Sequence, residues 1–159
     1  MFRPMRRNDK ALSEQETLEL LRICPSGVLA VLGDDGYPYT VPVNYVYDEE
    51  DRRIYFHCAK EGHKLDAIRR CDKVSFCVVG QDKVVQQEFN THFRSAIVFG
   101  RARIVEDDVR RRHALRCFNR KLSPDYPEQG EWEIETSWER VCLVEIEPEH
   151  ITGKGVPKE

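Results

Sequence analysis

The chain has 159 residues, the length of one domain, and can bury a core without disulfide staples. Its 25 Lys and Arg against 28 Asp and Glu leave a net charge of −3, which argues against the basic excess of a dedicated nucleic-acid binder. With 40% apolar and 33% charged residues, and no stretch near the ~20 apolar residues that span a bilayer, it reads as a soluble cytoplasmic protein rather than a membrane one.

Residues 1–7 are basic, but no apolar run follows them, so they do not read as a secretory signal. Ser13-Glu14-Gln15-Glu16 is a capping box that opens a helix with Leu18 and Leu21 on its apolar stripe. Residues 27–32 (GVLAVL) predict a first strand, and Gly33-Asp34-Asp35-Gly36 a hairpin turn. Residues 37–47 (YPYTVPVNYVY) predict a second strand. Pro42 places that strand at an edge or a bulge, because it has no N–H for a ladder bond. Tyr37, Tyr39, Tyr45 and Tyr47 fall on one face of it, as a core or subunit contact. A third strand covers 54–58.

Residues 62–70 change to a helical period, with Arg69 and Arg70 near the C-terminal end, where cations suit the dipole. Residues 74–80 predict a fourth strand, and 81–92 a polar loop that holds some strand. Residues 93–105 predict a fifth strand bent at Gly100. A basic helix runs from Asp107 to about Lys121, its charges a solvated face, and 141–146 predict a sixth strand. Residues 1–150 are read as one domain and 151–159 as a tail. Six antiparallel strands joined by short turns close most economically into a small barrel, which removes exposed edges.

The stretch Ile54 to Asp66 (IYFHCAKEGHKLD) carries the most chemistry. A strand ends at His57-Cys58-Ala59, Gly62 permits close approach to the backbone, and a helix starts at His63-Lys64. Helix N-termini carry unpaired N–H groups and partial positive charge, so the pattern suits a terminal phosphate. Asn44, polar in an apolar strand, is a second candidate, either facing solvent or hydrogen-bonding a flat heterocycle.

His57, Cys58, His63, Cys71 and Cys77 lie one, five, eight and six residues apart, unlike the paired ligands of structural zinc, so no metal site is expected there. The six cysteines include no C-x-x-C pair and are expected as free thiols. His92, His113 and His150 show no recognisable partners in the sequence.

Taken in order, Tyr37-Pro38, Val41-Pro42-Val43-Asn44-Tyr45, Ile54-Tyr55-Phe56-His57, Gly62-His63-Lys64-Leu65-Asp66 and Val74-Ser75-Phe76 resemble the pyridoxamine 5′-phosphate oxidase-like superfamily. With Met5-Arg6-Arg7 ahead of a capped helix, the pattern is most similar to its nitroimidazole-resistance type. The resemblance covers about residues 1–150. It implies an FMN-binding split barrel that forms a homodimer, with FMN in clefts at the subunit interface. Carried over by position, Val43, Asn44 and Tyr45 lie beside the flavin ring and ribityl chain. His57, Cys58 and Ala59 line the same cleft, while Gly62, His63 and Lys64 receive the phosphate. Ser95 adds a contact, and Trp138 or Trp132 covers the flavin from the partner. The catalytic histidine of that type maps to either His57 or His63.

The C-terminal Arg and His residues that hold substrate phosphate in pyridoxamine phosphate oxidase have no counterpart in 153–159, which argues against vitamin B6 oxidation. The resemblance therefore implies a flavin-dependent oxidoreductase that reduces a small-molecule substrate with electrons from NAD(P)H or another donor. The alternatives are a non-catalytic flavin binder, or a split barrel that holds haem or a deazaflavin.

Overall fold

A computed structural model describes residues 1–156. Helix α1 (Glu14–Ile23) starts at Ser13, whose hydroxyl accepts from the Glu16 N–H while the Glu16 carboxylate accepts from the Ser13 N–H. The capping box is therefore complete. After α1 come β1 (Ser26–Leu32), β2 (Pro38–Asn44), β3 (Val46–Asp48) and β4 (Arg53–Ala59). Helix α2 (His63–Arg70), β5 (Lys73–Val85), β6 (Asn90–Ile104), α3 (Asp108–Leu122), α4 (Pro127–Ser137) and β7 (Val141–Val156) complete the order.

The seven strands among the described residues form one antiparallel sheet in the order β2-β1-β5-β6-β7-β4-β3. Its two edge strands, β2 and β3, are consecutive in the chain and separated by Tyr45 alone. A single residue spans only about 7 Å between its neighbours. The sheet must therefore curl until its edges meet at Tyr45, which makes a barrel split along one side. Tyr45 is fully buried and its hydroxyl donates to the Leu21 carbonyl at 2.7 Å.

The architecture agrees with a β-rich split barrel, but the strand count is seven rather than six. Residues 37–47 read as one strand because apolar and polar residues alternate without a break; at Tyr45 the chain passes from one sheet edge to the other. Pro42 does lie on an edge strand. The polar loop expected over 81–92 is largely the far end of a long hairpin, with Gln81 to Val85 paired to Arg94 to Asn90 around a short turn at Gln86–Glu88. Both faces of that arm meet solvent, so no alternation marks it. Residues 151–156, read as tail, continue β7, where Val156 pairs with Phe93; residues 157–159 lie outside the described residues. Helix α4 was not expected. It opens with Pro127 at its first turn and sets Gly130 against Asn119 of α3.

Leu29, Phe76, Val78, Ala96, Val98 and Ile146 fill the inner face of the curl, closed off by Leu20 and Leu21 of α1 and Leu65 and Ile68 of α2. Lys121, on α3, ties the seam. Its Nζ donates to the carbonyls of Cys24 (2.6 Å) and Tyr45 (3.0 Å) and lies 4.0 Å from the centre of the Tyr45 ring. Burial lowers its pKa to about 8. No helix among the described residues is long and apolar enough to cross a membrane.

Helix α1 approaches β7 most closely at Gly153, where an added Cβ would overlap the Thr17 hydroxyl and lie 2.9 Å from the Thr17 Cβ. That hydroxyl is held by the Ser13 carbonyl at 2.8 Å and cannot yield freely. Gly153→Ala is therefore expected to cost about 1–3 kcal/mol of stability by overpacking, read from the urea midpoint at constant slope.

Candidate functional site

β4 ends at Ala59, and the chain turns through Lys60, Glu61 and Gly62 into α2. Gly62 has φ +145°, a backbone that L side chains rarely adopt, and the space where a Cβ would sit is open to 4 Å. It is the N-cap of α2 and supplies no side-chain cap. Its carbonyl accepts from the N–H groups of Leu65 and Asp66, both at 3.1 Å. The N–H groups of His63 and Lys64 precede those bonds and have no acceptor within the helix. The positive end of α2 thus opens onto a space bordered by His63 and Lys64.

β2 supplies the neighbouring wall. The Tyr39 ring stacks on the His63 imidazole with centroids 4.1 Å apart. His63 Nε2 lies 3.7 Å from Asp34 Oδ2, and the other Asp34 oxygen pairs with Arg70 at 2.7 Å. The hydrogen bond from Arg70 lowers the Asp34 pKa, so this carboxylate stays charged beside the ring. Asp34 sits in the β1–β2 turn, which therefore also orients His63. Sequence reading missed Tyr39, Asp34 and Arg70 as site residues because each acts through a contact distant in the chain.

Strand alternation divides the remaining candidates between two faces. Val43 and Tyr45 face the inside of the curl, Val43 half-buried and Tyr45 fully committed to the core. Asn44 faces outward, and its Nδ2 donates to the Pro25 carbonyl at 3.0 Å, pinning the start of β1. Cys58 faces inward, directly opposite Cys142 on β7. Burial pushes the Cys58 thiol up to about 11, against a smaller downward pull from Lys64. All six cysteines are free, as expected.

His57 and Ala59 face outward. His57 keeps one side exposed, while Phe118 of α3 meets its ring edge-on at 4.8 Å. Atoms crowding that side displace water and hold the His57 pKa below its ordinary value. Ser95 is half-buried on the outer face of β6, opposite Val79 and Lys154. Trp138 lies beneath the guanidiniums of Arg111 and Arg112, at 4.0 and 4.8 Å, away from α2. Trp132 is exposed on α4. The structure thus sets Ala59, Gly62, His63 and Lys64 along the β4–α2 turn, turns Cys58 inward, commits Tyr45 to the core and leaves Trp138 with α3.

The outer face of the central strands is apolar. Their register places Val28, Cys77, Ile97 and Thr152 in one row and Ala30, Ser75, Phe99 and His150 in the next. Phe2 stacks on His150 at 4.8 Å and on Phe99 at 5.7 Å. Val28, Val79, Ile97 and Phe99 remain exposed on this face.

A family model described as pyridoxamine 5′-phosphate oxidase matches residues 13–155. No curated protein matches the chain significantly. Among solved structures, an FAD-binding protein from Mesorhizobium loti is 26% identical with a TM-score of 0.64, over 91% of this chain and 95% of that one. A candidate 5-nitroimidazole antibiotic resistance protein from Bacteroides thetaiotaomicron is 24% identical with a TM-score of 0.74, over 91% and 85%. A conserved hypothetical protein from Mycobacterium tuberculosis superimposes with a TM-score of 0.81 at 20% identity, over 96% and 90%.

Removing the cover from His57 tests the cause of its lowered pKa. Burial disfavours the imidazolium, so Phe118→Ala is expected to raise the His57 pKa toward the ordinary ~6.5. An NMR titration of the ring protons in both proteins measures the change.

Proposed function

The chain belongs to the pyridoxamine 5′-phosphate oxidase family, and from that premise we propose that it is a flavoprotein that binds FMN as a homodimer and reduces a small electrophile with electrons from NAD(P)H. One observation carries the reading. Where β4 gives way to α2, the first helical N–H groups lack acceptors within the helix, Gly62 has open space beside it, and His63 and Lys64 follow it directly in the chain. That arrangement is built for a terminal phosphate.

Gly62, His63 and Lys64 would hold the phosphate. Tyr39 stacks on the His63 ring and Asp34 meets its Nε2, and both hold the ring in place. Ala59, His57 and the outward side of Asn44 offer the surface along which the rest of the ligand lies. FMN supplies the electron chemistry when bound, while the protein supplies position and a dry surface. The lowered pKa of His57 keeps its imidazole neutral at pH 7, able to accept a proton at its ring nitrogen. The chain has no G-x-G-x-x-G fingerprint, so a nicotinamide donor docks without a Rossmann site.

The apolar outer face supports a dimer. A second copy would cover Val28, Val79, Ile97 and Phe99 and would turn the open cradle into a cleft between subunits. Cofactor affinity would then rise with protein concentration through linkage. The FAD-binding solved relative fits a flavin site in this fold, and the anion-binding cradle here favours a flavin that ends in a terminal phosphate.

His63→Ala combined with Lys64→Ala is expected to weaken FMN binding on the order of 10- to 100-fold, through loss of charge-assisted hydrogen bonds. Quenching of flavin fluorescence measures it, and unchanged affinity contradicts the cradle. Anaerobic NADPH should bleach the flavin absorbance of the loaded wild-type protein. Retained colour would instead mark a non-catalytic binder.

A further inference from the structure

Helix α3 packs across the outer faces of β3, β4 and β7. Beneath it, Asp48 of β3 meets His113 and Cys117, which stand one helical turn apart on α3. Asp48 Oδ2 lies 2.5 Å from His113 Nε2, and Cys117 Sγ lies 3.6 Å from the same nitrogen. One oxygen, one nitrogen and one sulfur therefore converge within 4.8 Å of one another.

Two simpler roles fit poorly. In a Cys–His–Asp nucleophile relay the acid and the thiol occupy opposite imidazole nitrogens. Here both face Nε2. A packing role for Cys117 leaves unexplained why the His113 imidazole one turn away and the Asp48 carboxylate from a separate element both converge on it.

We propose that Asp48, His113 and Cys117 form a binding site for a borderline-soft divalent cation of the zinc class, distinct from the flavin site. A tetrahedral zinc with bonds of about 2.0 Å to nitrogen and oxygen and about 2.3 Å to sulfur separates nitrogen from sulfur by about 3.5 Å and nitrogen from oxygen by about 3.3 Å. The nitrogen–sulfur spacing is already in place. Asp48 and His113 need to part by less than about 1 Å, which happens when an ion replaces the proton they share.

The surroundings fit the donor set. The Glu50 N–H donates to Asp48 Oδ1 at 3.1 Å and fixes that carboxylate. Arg120 Nη2 donates to Cys117 Sγ at 3.1 Å, the kind of outer hydrogen bond that steadies a metal thiolate. All three donors line one cleft of about 450 Å³ with Glu49 and Glu50 at its rim, so a fourth position is open to water or a carboxylate. The ion would clamp α3 to β3, the strand that follows the Tyr45 seam, and Cys117 would bind as the thiolate and release its proton.

Cobalt(II) titration of the full-length protein tests this, since cobalt reports tetrahedral thiolate ligation by its colour. The expected result is one cobalt per chain, with a thiolate-to-cobalt band, displaced one for one by zinc(II), and a higher unfolding midpoint in zinc. Cys117→Ser should abolish the band. Asp48→Asn and His113→Gln should each weaken binding at least ~10-fold, with far-ultraviolet circular dichroism unchanged. Absence of the band in the wild type overturns the site, as does a band that survives in Cys117→Ser. The zinc-induced shift in the wild-type midpoint needs no variant and keeps the test decisive if a variant fails to fold. FMN retention is expected to be the same with and without zinc, so failure of either site leaves the other standing.

Discussion

The structure turns on Tyr45. A seven-stranded sheet begins at β2 and ends at β3, and one buried residue joins those two edges. The seam is held from two sides: the Tyr45 hydroxyl reaches back to Leu21 on α1, and its carbonyl and ring receive the Lys121 ammonium from α3. An ammonium with two carbonyl acceptors and an aromatic face is well satisfied for a half-buried lysine, yet its lowered pKa reflects the cost of partly keeping it from water. Curling at this point brings the Tyr39 end of β2 beside α2. It also presents Asp48 to α3. Both sites discussed above are consequences of one crossover.

The phosphate cradle and the cation site use opposite electrostatics. At α2 the backbone supplies unpaired donors, and Lys64 adds positive charge. Beneath α3 a carboxylate, an imidazole and a thiol converge at an open cleft. They sit on different helices, so an anion and a cation can be held without competing.

Some features were legible because they are local. The capping box at Ser13, the glycine ahead of α2, the basic end of α2 and the span of α3 each depend on neighbours within a turn of helix or strand. What escaped notice depends on distant contacts. The split of 37–47 at Tyr45 leaves no mark, since apolar alternation runs straight through it. The arm at 81–92 lacks a buried face and so lacks a strand period. Tyr39 stacked on His63 looks like any core tyrosine until β2 is placed next to α2. His113 and Cys117 show only a spacing of four until Asp48 arrives from 65 residues away. The family resemblance assigned whole tripeptides to the ligand; on the strands, alternation turns the side chains of Val43 and Cys58 to one face and those of Asn44, His57 and Ala59 to the other.

The central claim is that a terminal phosphate anchors the flavin at the start of α2. Comparing the dissociation constants of FMN and riboflavin for the purified protein tests it most directly, because the two ligands differ only in that phosphate. Two charge-assisted hydrogen bonds predict FMN tighter on the order of 100-fold, with the advantage shrinking as salt is raised. Equal affinity for the two would place the anchor elsewhere and contradict the account.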